Sequence, residues 1–242
     1  MSYQENIARI INHGPGYAVL PIQDMKIFER LRAAFIDSIS EDLNQKEDLN
    51  KIRESMIGMP KSEINKIMIN LMTQHQASEI LVKSCKNLVT ALSGSELFIQ
   101  RRANFIINIP GSDQRRQWPH YELMSGVSPF TYVIWAPLHD LDDGGGIYYL
   151  DASESLAIMK AEDQKGLVNG PEMFDMLHNR EALNLKYGEV VVFNPFILHG
   201  NSNFESKFAR IACSVRFQSA LKPLMQKHTD YFRHYVIENL EK

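Results

Sequence analysis

The chain has 242 residues, 44% of them hydrophobic and 23% charged, which is the composition of an ordinary folded globular protein. Its formal net charge of −3 creates no field that would draw it to nucleic acid or to an anionic membrane. Cys85 and Cys213 are its two cysteines, too few for a disulfide framework or a thiolate zinc site, so a reducing, cytoplasmic setting is expected.

The first residues show no basic stretch followed by an apolar one, and no secretory leader is expected. No uncharged apolar run approaches the roughly 18 to 20 residues that span a bilayer. Residues 1–22 read as an opening strand, Tyr17 to Ile22, behind the turn Gly14-Pro15-Gly16. From about 24 to 99 the pattern is helical. Phe28, Leu31, Ala34 and Phe35 recur at helical spacing, as do Ile64, Ile67, Met68 and Leu71, with a break near Gly58-Met59-Pro60.

From Leu97 the period shifts toward two. Arg102, Asn104, Ile106 and Asn108 share one face of a strand that ends at Pro110-Gly111. Phe130 to Leu138 is a second strand, rich in β-branched and aromatic residues. Gly144-Gly145-Gly146 then turns the chain into Ile147 to Leu150. Residues 153–184 read as a helical insert that interrupts the strands and is expected to act as a lid. Strands resume at Leu183 to Lys186, at Val190 to Phe193 after the turn Tyr187-Gly188-Glu189, and at Arg210 to Phe217. Residues 221–242 read as an amphipathic C-terminal helix. Nothing divides the chain, so a single domain over 1–242 is expected. Its class is α+β: a sandwich or jelly-roll core at about 97–220, with the N-terminal helices covering one sheet.

His120 and Glu122 are two residues apart, so on an extended segment both side chains point the same way. His199 follows the apolar run from Val190 to Ile197, and Arg210 lies 210 − 199 = 11 residues further on. Two histidines and one carboxylate are the ligand set of a mononuclear non-haem Fe(II) site, with positions left open for a co-substrate and O2. Arg210 would clamp a dicarboxylate through its planar fork. A lone His-x-Glu carries little weight in a chain with eight histidines; the joint pattern carries the assignment.

Other polar residues have two readings each. Arg102, Asn104 and Asn108 either line the barrel as substrate contacts or face solvent, because buried polar groups without partners are costly. His139-Asp140-Leu141-Asp142-Asp143 fits a polar turn better than a metal site. Cys213 reads as a small buried hydrophobe. Arg216 reads equally as a residue of the barrel mouth or as half of a surface pair. Arg115-Arg116-Gln117 reads as a solvated loop or as an attractor of a phosphate or carboxylate, His178 as a surface residue, and His228 and His234 as surface or interface residues.

Trp118-Pro119-His120-Tyr121-Glu122, Trp135, the run Gly188 to Phe193, and His199-Gly200 followed by Arg210 and Ser214 resemble one known family. It is the phytanoyl-CoA dioxygenase-like branch of the Fe(II)/2-oxoglutarate-dependent oxygenases, matched over about residues 97–220. Residues 117–143 further resemble oxygenases of bacterial surface-carbohydrate gene clusters. Glu122 departs from the family, most of which has aspartate there. The resemblance implies a double-stranded β-helix, cupin-like, with Fe(II) held by His120, Glu122 and His199. It also implies 2-oxoglutarate as co-substrate, with Arg210 and Ser214 on its far carboxylate, and O2 as oxidant. The substrate expected is a small polar metabolite, a sugar or nucleotide sugar, oxidised by hydroxylation, desaturation or ring formation. The competing expectations are a cupin-like metal-dependent sugar isomerase or epimerase, and a non-catalytic jelly-roll sugar-binding module. No nucleic-acid or membrane partner is expected, and homodimerisation is left open.

Overall fold

The computed structural model describes residues 3–43, 49–74, 76–110, 119–141, 146–165, 177, 180–201, 206–225 and 230–237. In chain order the elements begin with α1 (Tyr3–His13), β1 (Tyr17–Pro21), α2 (Met25–Leu43), α3 (Leu49–Ser55), α4 (Lys61–Gln74), α5 (Ala77–Ser84) and α6 (Lys86–Ser93). Then come β2 (Glu96–Gln100), β3 (Asn104–Asn108), a 3-10 turn (Glu122–Ser125), β4 (Tyr132–Pro137), β5 (Ile147–Tyr149) and α7 (Ala152–Lys165). The chain closes with β6 (Glu189–Phe193), β7 (His199–Asn201), β8 (Arg210–Ser219) and β9 (Phe232–Val236).

Seven strands form the large sheet in the order β1-β6-β4-β8-β2-β9, with β3 also on β8; β5 and β7 form a small sheet, and every pairing is antiparallel. The period-2 alternation of strands explains the layers. On one face of the large sheet Ile134, Ala136, Val190, Val192, Ile211, Cys213, Val215 and Phe217 pack against helical residues such as Phe28, Leu31, Phe35 and Leu81. On the other face Val133, Trp135, Val191, Phe193 and Ala212 meet Ile147 and Tyr149 of the small sheet. This is the α+β jelly roll anticipated from the strand pattern, and Cys213 sits in it as a buried apolar residue.

The strand β8 is covered on both faces and is buried from Arg210 to Gln218. β4 pairs along one edge of it. β2 and β3 share the other edge in succession, at Leu97–Ile99 and Asn104–Asn108.

Four local expectations change. The tail at 221–242 does not form the expected helix in its described part, because Phe232–Val236 pairs with the outer edge of β2. That edge presents backbone donors and acceptors, and Phe232, Tyr235 and Val236 are good strand formers. The opening segment contains α1 as well as a strand, with Ile7 and Ile11 buried against the sheet. Residues 183–186 contribute an isolated bridge, Ile147 with Leu183, in place of a strand. The insert 153–184 does not hang over the site in its described part. Tyr121 donates to Ser155 O, and Ile158 and Met159 pack on Tyr148, Leu150 and Leu198 behind the small sheet. Residues 166–176, 178 and 179, including His178, lie outside the described residues, as do 111–118, 142–145 and 226–229, with Arg115, Arg116, Trp118 and His228. No described helix is long and apolar enough to cross a membrane.

Gly200 is fixed by a close approach. A Cβ there would lie 2.6 Å from the Tyr148 hydroxyl and 3.3 Å from Pro119 Cα. The small residue after His199 therefore lets the strand meet the segment that carries His120.

Phe217→Ala removes a fully buried ring between the large sheet and the helices. It should lower the free energy of unfolding in urea by about 3–5 kcal/mol. Leu221→Ala, at an 86% exposed position, should change it by less than about 0.5 kcal/mol.

Candidate metal centre

The site lies on the inner face of the large sheet, under the small one. A two-way backbone bridge joins His120 to His199: the amide of each donates to the carbonyl of the other, at 3.0 and 3.2 Å. The bridge brings the imidazole rings to 4.3 Å between centroids. Tyr121 is extended, so its side chain turns away into the packing behind the small sheet. Glu122 thus comes to the same side as His120 as the 3-10 turn begins. The ligand atoms of His120, Glu122 and His199 all lie within 4.8 Å of one another, the one such cluster found among the described residues. His199 Nε2 is 3.7 Å from Glu122 Oε1.

The protonation states suit a cation. His199 is buried and its Nδ1 lies 3.0 Å from Ile197 O, an acceptor, so Nδ1 carries the proton and Nε2 presents a lone pair. Burial, with His120 beside it, pushes the His199 pKa down to about 3, against an opposite pull from Glu122. Burial alone would raise the Glu122 pKa, but the Arg216 guanidinium, helped by His199 and His120, holds it below the usual carboxylate range. Tyr149 stacks on His199 with centroids 5.4 Å apart and planes 10° apart.

These groups open into a cavity of about 330 Å³ that is also lined by Asn104, Trp135, Phe193, Ser214 and Arg216, with Met68 and Met72 of α4. A second cavity of about 560 Å³ shares Met72 and Asn104 with it and is lined further by Gln100, Arg101, Arg102, Asp230 and Tyr231.

The structure divides the residues singled out from the sequence. Ser214 and Asn104 are register partners on β8 and β3, and both line the inner cavity. Arg210 is fully buried behind it, donating to Gly146 O at 3.2 Å and to Asn201 Oδ1 at 2.6 Å, with its Cζ 5.9 Å from the Trp135 ring. Asn108 is the register partner of Arg210, so it belongs to that deep end. Arg102 is not on the strand face expected of it. It precedes β3, is exposed, and lines only the outer cavity. His139 is no ligand: its Nε2 accepts from the Ile211 amide at 3.0 Å, and its Nδ1 donates to Asp140 O. His234 lies on β9 against Phe98.

Gln100, Asn201, Tyr149 and Tyr231 were not anticipated. Arg216, left open between the barrel mouth and a surface pair, lies on the inner face, two residues on from Ser214 along β8. Nothing local in the sequence pointed to Tyr231.

Three buried polar atoms near Arg210 have no hydrogen-bond partner among the described residues: Asn108 Nδ2, Trp135 Nε1 and the Tyr149 hydroxyl. Burial raises the Tyr149 pKa strongly, with the Arg210 charge lowering it and the Glu122 charge raising it. Buried orphan donors are rare and ask for an acceptor. An oxygen-rich anion between Arg210 and the histidines fits that need.

No family model matches the sequence, and no curated protein matches it. Solved structures do. SnoK, a non-haem α-ketoglutarate-dependent carbocyclase from nogalamycin biosynthesis, is similar over 98% of this chain and 97% of its own, at 15% identity and a TM-score of 0.56. The epimerase SnoN in complex with Fe3+, α-ketoglutarate and nogalamycin RO is similar over 98% and 96%, at 14% identity and a TM-score of 0.53. EctD from S. alaskensis with 2-oxoglutarate and 5-hydroxyectoine is similar over 93% and 78%, at 17% identity and a TM-score of 0.55. At these identities what the chain shares with them is the jelly-roll fold.

The depressed pKa of His199 has a signed consequence. Below about 6.5 the unfolded chain takes up a proton on this residue, while the folded protein does not until about pH 3. Metal-free protein should therefore lose stability as pH falls through that window. His199→Asn should show a flatter dependence when urea midpoints are compared between pH 7.5 and pH 4; parallel curves would contradict the assignment.

Proposed function

We propose that the protein is a non-haem Fe(II)- and 2-oxoglutarate-dependent oxygenase acting on a small polar metabolite. The observation that carries this reading is the convergence of His120, Glu122 and His199 on one cavity, with unpartnered buried donors on the Arg210 side. The donor set fits the metal: two imidazoles and one carboxylate on one side, with the cavity on the other. The donors fit the co-substrate, since Arg210, Asn108, Tyr149 and Ser214 can meet the oxygens of a dicarboxylate. Bound there, iron and 2-oxoglutarate would supply the O2-dependent oxidation of an aliphatic carbon, with succinate and carbon dioxide as co-products. The chain's own share is to orient these groups and to keep water out, for which Trp135 and Phe193 supply apolar walls of the cavity. SnoK and SnoN, described as a carbocyclase and an epimerase, depend on the same co-substrate. Ring closure and epimerisation therefore stand beside hydroxylation as outcomes.

The substrate class is read from the walls of the outer cavity. Gln100, Arg101, Arg102, Asn104 and Asp230 are polar, and a site built from such groups favours ligands that satisfy them. A sugar or nucleotide sugar meets that demand, and a fatty acyl chain does not.

The protein should bind one Fe(II), or Mn(II) as an inert substitute, per chain, and His199→Ala should abolish measurable uptake in calorimetry. Arg210→Ala should leave metal binding nearly intact and weaken 2-oxoglutarate. The loss of a charge-assisted pair costs on the order of 2 kcal/mol or more, roughly 30-fold in affinity. The charge-transfer absorbance of the anaerobic Fe(II) complex measures this, and a titration like the wild type's would remove Arg210 from the co-substrate site. Sugars and nucleotide sugars should stimulate succinate release, while acyl-CoA thioesters should not. The reverse result would sink the substrate class and leave the metal site standing.

A further inference from the structure

Each nitrogen of the Arg216 guanidinium is engaged inside the cavity. Nε donates to Oε2 of Glu122 at 2.6 Å, and Nη2 forms an ion pair with the same oxygen. Nη1 donates to the Tyr231 hydroxyl and, at 3.4 Å, to Gln100 Oε1. The carboxylate is thereby divided. Oε2 is held by arginine, and Oε1 is left facing His199 Nε2.

The partners of Arg216 are themselves fixed. The Gln100 side-chain amide donates through Nε2 to Arg102 O at 2.7 Å and to Asn104 Oδ1 at 3.0 Å, which orients its Oε1 toward Arg216. That Oε1 also accepts from the backbone amide of Arg216 at 3.1 Å. Tyr231 stands just before β9 and packs against Phe232, with Val127 in the same cluster. The chain of contacts runs from β2 and the residue before β9, through one guanidinium, to one oxygen of the carboxylate.

We infer that Arg216 is a positioning residue of the metal centre: it pins Oε2 of Glu122 so that Oε1 is presented to the cation, and Gln100 and Tyr231 hold Arg216 for that task. This rests on the metal reading above. The need follows from the side chain. Glutamate has one more rotatable bond than aspartate, so its carboxylate sweeps a larger volume, and ordering it costs entropy. A planar fork anchored on two further residues removes that freedom before the metal arrives. A guanidinium that only neutralised a buried charge would need neither the convergence on one oxygen nor the two supports.

The test is Mn(II) binding to the full chain, followed by calorimetry and by the electron paramagnetic resonance of the bound ion. Arg216→Lys keeps the charge and loses the fork, and it should weaken Mn(II) binding roughly 10- to 100-fold. Tyr231→Phe keeps the ring and loses the hydroxyl, and it should weaken binding in the same direction by less, with a broadened spectrum. Wild-type affinity in Arg216→Lys would reduce the residue to a counter-charge and overturn the inference. Tighter binding would make it a competitor of the metal and overturn it as well. If Arg216→Lys does not fold, Tyr231→Phe and Gln100→Leu decide, and wild-type affinity and spectrum in both count against the proposal. Wild-type protein that takes up no Mn(II) removes the metal reading itself, and this inference with it.

Discussion

The strict alternation along β8 is the constraint on which the rest of the molecule depends. Ile211, Cys213, Val215 and Phe217 face the helices, and Arg210, Ala212, Ser214 and Arg216 face the small sheet. A slip of one residue would drive two guanidinium groups into an apolar core and expose four hydrophobic side chains to the cavity. Pairing on both edges fixes the register: β4 on one side, β2 and β3 on the other. The helical layer is thus more than a cover. By burying one face it determines which residues the other face offers to chemistry.

The small sheet complements this from the opposite side with few residues. β5 and β7 are three residues each, yet they set Tyr149 against His199 and Ile147 against Asn201. Asn201 reaches Arg210 across the sandwich, so the short strands and β8 are tied by a side chain where no backbone pairing exists. The close seating of the His120 segment against β7 depends on Gly200, where no Cβ stands between Tyr148 and Pro119.

Much of this was legible in the amino-acid order. The Gly188-Glu189 turn into four apolar residues announced β6, and the mixed spacing of Ile and Met announced α4. His120, Glu122 and His199 were legible as a group because a period of two puts the first two on one side and a long apolar run leads to the third; the pairing of His120 with His199 joins them. What escaped was decided by distant partners. β9 is a strand because β2 has an open edge some 130 residues earlier in the chain, a fact no local window contains. Arg102 looked inward by counting twos from Asn104, but β3 begins only at Asn104, and the periodicity stops with the pairing. Arg216 stood open between two readings because its partner was hidden, since Glu122 lies 94 residues away.

The interruption between β2 and β3 has a consequence for access. Pairing along that edge of β8 stops after Phe217 and resumes at Ser214, and the gap is bridged by the Gln100 side chain, which takes the backbone amide of Arg216 in place of a strand. The same gap is where the outer cavity meets the inner one, at Asn104. The two cavities therefore adjoin at a seam in the wall of the sheet. Its frame is the short link 101–103, two of whose three residues are exposed. Such a link can lengthen, shorten or change charge while the packed core stays as it is. A fold built this way keeps its interior register while the rim of the outer cavity stays free to vary.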